Sequence, residues 1–426
     1  MEQVLLEGVK TTRQFLRKQQ LATIFEQFDV QTMQLTTEQR LEKYKKMAES
    51  PFRFFRGSAY LYYYDTTKID SIFHTDPQRP TWIMGDMHMD NFGAFQNEEG
   101  DVVFDVNDFD EGYVGSYLYD ILRMSISIAL YMEEQQLSED VQQQAINSFL
   151  TSYIKQMKRF KSGKDDPITL IFTKDNTKGP IRRALKKLEQ RQHTQLLEDL
   201  TVVNELGQRI FVETEEIHRV SGPLFNQISA LLGDYAVQDI ALKYGSGTAS
   251  IGLERYYIVA RDAEDAEYVL EMKEVRTAVP AYFFPYNELF WQHYEHQGAR
   301  VVGTQKAMHH LEDPHLTYAT MNGKEYYIRE RSPYKRKVKS KNYRSTEEYF
   351  ETTAIMGQIA AKIHARADID YSDVFTYHSE DEILEAIEQH KALFVDSVTM
   401  QVLRYKDIVN YDYELFIEWL TTLNHA

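Results

Sequence analysis

A chain of 426 residues with a formal net charge of −17 repels nucleic-acid backbones on average, which excludes a general DNA or RNA binder. Hydrophobic residues make up 43% and charged residues 27%, a balance that supports a large packed core and excludes global disorder. The chain has no cysteine, which removes disulfides, thiolate catalysis and cysteine-ligated zinc together, and no apolar run reaches the roughly 18 residues that a membrane helix needs. The N-terminal stretch carries early acidic charge and lacks the long apolar segment of a secretory signal. A cytoplasmic protein is expected.

Residues 1–50 read as helices with a polar break at Thr36 and Thr37, where Thr37 and Glu38 can open the second helix. The apolar runs 80–84 and 101–106 flank an Asn-Glu-Glu-Gly turn and predict two paired strands. From Ser116 to Leu150 the spacing is helical, with Leu118, Ile121, Leu122 and Met124 on the apolar face, and further helices are expected near 181–200 and 216–233. Near residue 236 the period changes to alternation. VQDIALKY, RYYIVAR and EYVLEMKEV predict three strands, with 300–302 and 324–331 extending the sheet and a helix at 286–298 between. After Ser345 the pattern is helical to the end. The fold class is therefore α+β in two lobes, with 235–335 as a small β-rich lobe and 1–234 and 336–426 together forming a large helical one.

The densest polar segment is 85–111. Asp86 follows an apolar strand, Asn91 lies five positions on, and Asp108 and Asp110 end a second strand. Phosphoryl transfer uses these parts: one carboxylate orients or deprotonates the attacking hydroxyl, while an amide oxygen and another carboxylate hold magnesium. Gly245, Ser246, Gly247, Thr248, Ser250 and Gly252 form a glycine-rich turn between two predicted strands, where positive φ and close backbone approach suit phosphates. A hairpin with no ligand has the same composition. Lys273 sits inside the strand that follows. Basic residues concentrate at Lys155–Arg191 and Arg329–Lys341, either as solvated faces or as an electropositive mouth for an anion. Arg56 is expected to pair with a buried carboxylate such as Asp110.

Gly85-Asp86-Met87-His88 with Asn91 resembles the catalytic loop of aminoglycoside phosphotransferases and choline kinases, Val106–Asp110 their metal-binding segment, and Tyr119–Leu122 the helix start that follows. This resemblance implies a protein-kinase-like fold using ATP and magnesium. Asp86 would be the catalytic base, Asn91, Asp108 and Asp110 the metal ligands, and His88 and Asp120 supports of the loop. The glycine turn and Lys273 resemble the kinase nucleotide loop and its phosphate-gripping lysine, with Glu288, and Glu295 behind it, as the acidic partner. Ile359–Ala365 resembles the helix that follows the small lobe in those enzymes. Because the catalytic loop here precedes the glycine turn, the implied arrangement is circularly permuted. The whole-chain pattern also resembles the bacterial domain-of-unknown-function family DUF2252. The motifs carrying it are Phe55-Arg56-Gly57, Gly85–Gly93, Asn107–Glu111, the glycine turn, Lys273-Glu274 and Ala361–Arg366. The expected function is phosphotransfer to a small-molecule acceptor, and the basic segments permit an anionic one. The alternatives are a phosphohydrolase with two metals around Asp86, His88, Asp90, Asp108 and Asp110, an AMP-transferring enzyme of the same fold, and a nucleotide-binding pseudokinase.

Overall fold

The computed structural model describes residues 2–190, 195–233, 235–245, 247–248, 250–311, 313–331 and 336–423. Helices open the chain. α1 (Glu2–Phe25) runs into a π-helical turn, and α2 (Thr37–Met47), α3 (Pro51–Gly57) and α4 (Ala59–Thr66) follow. The polar break is a capping box: the Gln39 amide donates to the Thr36 hydroxyl, and the Thr36 amide donates to the Gln39 side chain.

Four short strands carry the polar segment: β1 (Thr81–Ile83), β2 (Phe92–Gln96), β3 (Val102–Val106) and β4 (Tyr113–Gly115). The expected pairing of 80–84 with 101–106 is not made. β2 pairs with β3, and β1 with β4, both antiparallel, so one hairpin nests inside the other. Nesting pairs the strands nearest in sequence first, which keeps each loop closure short. β2 escaped the sequence reading because its start, Phe92-Gly93, directly follows the turn residues of the catalytic-loop motif.

α5 (Leu118–Glu134) and α6 (Glu139–Lys161) replace the single helix expected at 116–150; the break is at Gln136, which has φ +58°. α7 (Gly179–Leu188), α8 (Gln195–Leu200), a hairpin of β5 (Thr201–Val203) and β6 (Arg209–Phe211), β7 (Ile217–Arg219) and α9 (Gly222–Leu231) occupy the segment where two longer helices were expected. The middle of the chain then forms most of an antiparallel six-stranded sheet. Its strands β8 (Ala236–Lys243), β9 (Arg255–Arg261), β10 (Glu267–Val275), β11 (Thr317–Met321) and β12 (Lys324–Glu330) lie in the order β11-β12-β10-β9-β8-β7. Along β10, Leu270 and Met272 join Ile258 and Ile328 in one apolar cluster. The period of two leaves Glu271 and Lys273 on the other face.

α10 (Glu288–His293) and α11 (Gln297–Met308) connect β10 to β11. The strand expected at 300–302 is part of α11. His296 caps that helix by accepting from the Ala299 amide, and Arg300, fully buried, donates to the carbonyls of Gly112 and Arg276. Those tertiary bonds outweigh the local β preference of Val301-Val302. α12 (Thr346–Arg366), α13 (Ser379–Glu388) and α14 (Lys391–Leu423) complete the chain. α12 lies close along α6, where a Cβ at Gly357 would meet the Phe149 carbonyl oxygen at 2.3 Å. α1 meets α14 through Phe25 and Phe416, whose rings are 5.6 Å apart, so both ends of the chain share one core. The protein is thus mixed α+β, β-rich in its middle and helical at both ends, and no helix among the described residues is long and apolar enough to cross a membrane.

Between α12 and α13 the fully buried Asp368 accepts from the amides of Asp370 (3.0 Å) and Ser379 (2.6 Å), and burial raises its carboxyl to about 7. The folded value lies above the unfolded one, so its contribution to stability is present below about pH 4 and is lost as pH rises through about 7. Urea melts from pH 4 to 8 should show wild type losing a few kcal/mol more than Asp368→Asn across that window; parallel profiles would refute this assignment.

Candidate functional site

Asp86 sits in the turn after β1, and that turn is fixed by Gly85. Gly85 has φ +80°, and a Cβ there would lie 1.9 Å from the Glu111 carbonyl oxygen. Gly85→Ala is therefore expected to cost at least about 3 kcal/mol by chemical denaturation, since both the left-handed backbone and the close approach forbid a side chain. Asp120, in the first turn of α5, accepts from the amides of Met84 (2.6 Å) and Gly85 (3.0 Å). His364 of α12 lies 3.2 Å from the same carboxylate and 2.9 Å from the Tyr153 hydroxyl, all in the interior. The Tyr63 hydroxyl donates to the Gly85 carbonyl.

One turn beyond Asp120, Arg123 donates its Nε to the Asp86 carboxylate at 2.5 Å. Arg123 is fully buried and lies over the rings of Phe55 and Tyr62 at 4.4 and 5.1 Å. Burial raises the Asp86 carboxyl to about 6, with Arg123 opposing that rise. His88 is held well below the ordinary imidazole range by burial and then by Arg56. Its Nδ1 accepts from the Asp90 amide, and its Nε2 lies 3.3 Å from the Arg56 Nε. The ion pair expected between Arg56 and Asp110 is not formed: Arg56 pairs with Asp90 at 2.6 Å, because α3 sits over the short helical turn that carries Asp90.

Asp86, Asn91, Asp108 and Asp110 face a cavity of about 240 Å3 that is also lined by Gly247, Thr248 and Ser250 of the glycine turn and by Lys273 of β10. Gly245 and Gly252 flank that lining stretch, and all three glycines have positive φ. Ser246 lies outside the described residues. Lys273 forms an ion pair with Asp110. Burial works against its charge, but Asp110, with lesser help from Tyr327 and Asp108, holds its pKa above that of an ordinary lysine. Glu288 does not enter the cleft. Asn287 caps α10, Glu288 in the first turn faces solvent and accepts from Gln292, and Glu295 is exposed as well. The carboxylate partner of Lys273 therefore comes from the segment after β3.

The oxygen donors suit a hard divalent cation such as magnesium. Asn91 spends its Nδ2 on the Asp86 carbonyl at 2.9 Å, which leaves its amide oxygen for another partner. Asp110 Oδ1 is buried with no hydrogen-bond partner among the described residues.

The cleft also gathers Arg56, Arg255, Arg276, Arg329 and Lys337 against Asp86, Asp108, Asp110 and Glu111. Of the two basic stretches, only the second contributes among the described residues, through Arg329 and Lys337. Lys158, Lys161 and Arg183 of the first pair with Glu388, Asp381 and Glu348. Arg191 and Lys335 lie outside the described residues. Arg123 was missed in the sequence, and Glu111 was read only as the last residue of a family motif, with no role. The signal for Arg123 was a charge among the apolar residues of a helix. Glu111 is raised to about 7 by burial, and its carboxylate accepts from the Val279 amide.

A β-sheet lysine and a glycine turn thus close over a loop bearing carboxylates and an amide, the makings of a site for an anion and a cation together. The chain belongs to the family described as uncharacterized protein conserved in bacteria (DUF2252), which matches residues 37–419. Comparison with curated proteins and with solved structures returns no match.

Proposed function

We propose that this protein is a kinase-like transferase that uses ATP and magnesium to phosphorylate a small-molecule hydroxyl, on a circularly permuted arrangement of the two lobes. The observation that carries this reading is the convergence, in one cavity, of Asp86, Asn91 and Asp108 with a glycine turn and a strand lysine from a much later part of the chain. The glycine turn joins β8 to β9 and Lys273 follows on β10, which is the order of glycine loop and lysine strand in kinases. Permutation leaves this juxtaposition intact, because only the meeting of loops in space matters to the chemistry.

Asp86 accepts the proton of the attacking hydroxyl, and a carboxyl near 6 both takes and releases a proton at neutral pH. Arg123 holds that carboxylate in one orientation. Lys273, paired with Asp110, would contact the phosphates if a cation drew that carboxylate away. Asn91 and Asp108, with Asp110, would hold magnesium, which when bound neutralises charge on the phosphates. Arg56 and Lys337 beside Asp86 favour an acceptor that carries negative charge.

Saturating Mg-ATP should raise the melting temperature by several degrees, since a ligand at about 100 times its Kd stabilises the native state by about 2.7 kcal/mol. A scan of purine nucleoside triphosphates with magnesium checks this, and no shift with any of them would overturn the reading. Phosphatase turnover with no nucleotide present would favour the two-metal hydrolase instead.

A further inference from the structure

A second cavity, of about 110 Å3, adjoins the cleft and shares two lining residues with it, Asn107 and Arg329. Five side chains around it bury a polar atom that has no hydrogen-bond partner among the described residues: Asn97 Nδ2, Asn107 Nδ2, Arg331 Nε, Gln305 Oε1 and His309 Nδ1. Leaving a buried polar atom unpaired costs about 1–3 kcal/mol, so five around one void mark a place built for something polar. Asn97, Gln305 and His309 are each more than nine-tenths buried.

The chemistry of these atoms narrows the occupant. Asn97 accepts from the Asp101 amide through Oδ1, which leaves its NH2 as a donor. His309 Nε2 is 2.7 Å from the Val106 carbonyl, so Nε2 carries the proton and Nδ1 is an acceptor. Burial holds that imidazole neutral, at about 4. The set therefore mixes three donors with two acceptors. Glu271, Asp313 and Glu330 also line the cavity, which disfavours a phosphate. Its apolar walls are Ala94, Phe95, Phe109 and Pro314, with Phe95 stacked on the His309 ring at 4.8 Å and Phe109 edge-on. The amino-bearing edge of a flat heteroaromatic ring meets such a set, and a cavity of about 110 Å3, smaller than the roughly 150 Å3 that encloses benzene, holds that edge rather than the whole ring. The cations, by contrast, concentrate in the neighbouring cleft.

Building on the nucleotide-dependent reading above, we propose that this second cavity receives an amino-bearing nucleobase, read by Asn97, Asn107, Gln305, His309 and Arg331, while the triphosphate of the same molecule lies in the cationic cleft. Asn107 and Arg329 then stand at the junction between base and phosphates. Gln305 and His309 at the end of α11 accept from the amino group, and the asparagine and arginine N–H groups donate to ring nitrogens.

Calorimetric titration of the full-length chain with Mg-ATP and with magnesium tripolyphosphate tests this. Gln305→Leu and Asn97→Leu should each weaken ATP about tenfold or more and leave tripolyphosphate within about twofold. Unchanged ATP affinity in both variants would mean that the cavity holds water only, and a parallel loss of both ligands would place the base elsewhere; either result overturns the proposal. Wild type supplies a check that no folding defect can blur. The purine nucleoside triphosphate lacking the exocyclic amino group should bind about tenfold more weakly than ATP, and equal affinity refutes the assignment. If wild type binds tripolyphosphate but not ATP, the base pocket is refuted; if it binds neither, the nucleotide-dependent function itself falls, and this proposal with it.

Discussion

Asp86→Asn is expected to lower phosphoryl transfer by about a thousandfold while leaving Mg-ATP affinity within a few-fold of wild type, as read by single-turnover transfer and by calorimetry. The substitution keeps the size of the side chain and an oxygen that can accept from Arg123 Nε, so the buried guanidinium is not stripped of every partner. What it removes is the basicity that a hydroxyl nucleophile needs. Asp108→Ala should behave in the opposite way, losing the magnesium-dependent part of the thermal shift because an oxygen donor to the cation is gone. The pair of variants separates base from ligand. Full turnover in Asp86→Asn would remove Asp86 from the chemistry, and an undiminished magnesium effect in Asp108→Ala would move the cation elsewhere.

Asp120→Ala is the substitution expected to harm the fold most for its size. Asp120 is fully buried, and its carboxylate terminates the amides of Met84 and Gly85 and faces His364. Removing it leaves two buried N–H groups unpaired and a buried imidazole without its anionic neighbour. A loss of about 3–5 kcal/mol in urea denaturation follows from that account. A double-mutant cycle with His364→Ala should return a coupling of at least about 1 kcal/mol between positions 244 residues apart in the chain. Independent effects would mean that α12 and the turn bearing Asp86 merely touch.

The parts of this protein that were legible in the sequence are those whose signal is local. The alternation in RYYIVAR and EYVLEMKEV marks β9 and β10, and the run of Asp, Asn and Gly after an apolar stretch marks the turn bearing Asp86 and Asn91. What was not legible depends on tertiary partners. Val301-Val302 looks like strand until Arg300 is seen fastened to two carbonyls outside its own helix. The partner of Lys273 was sought on a helix, where kinases keep it, and lies instead two residues past Asp108, in a segment already assigned to metal. Arg56 found Asp90 rather than Asp110 because the course of α3 was not readable from its own residues. The second cavity has no motif at all. Its polar atoms come from β2 and its turn, the end of β3, α11 and the residue after β12, and nothing in any one segment announces the other three.

The bond between Asp120 and His364 also bears on how the molecule is made. A ribosome delivers the turn bearing Asp86 well before its brace on α12, with the entire six-stranded sheet emerging between them. The half-core formed by the first helices must therefore wait, with Phe25 lacking Phe416 and Gly85 lacking part of its support, until α12 and α14 have emerged. Long waits with exposed apolar surface are the condition under which nascent chains recruit chaperones. Stalling translation before residue 346 should yield a chain whose middle sheet resists protease while its N-terminal helices are cut, and whose Asp86 has nowhere to stand.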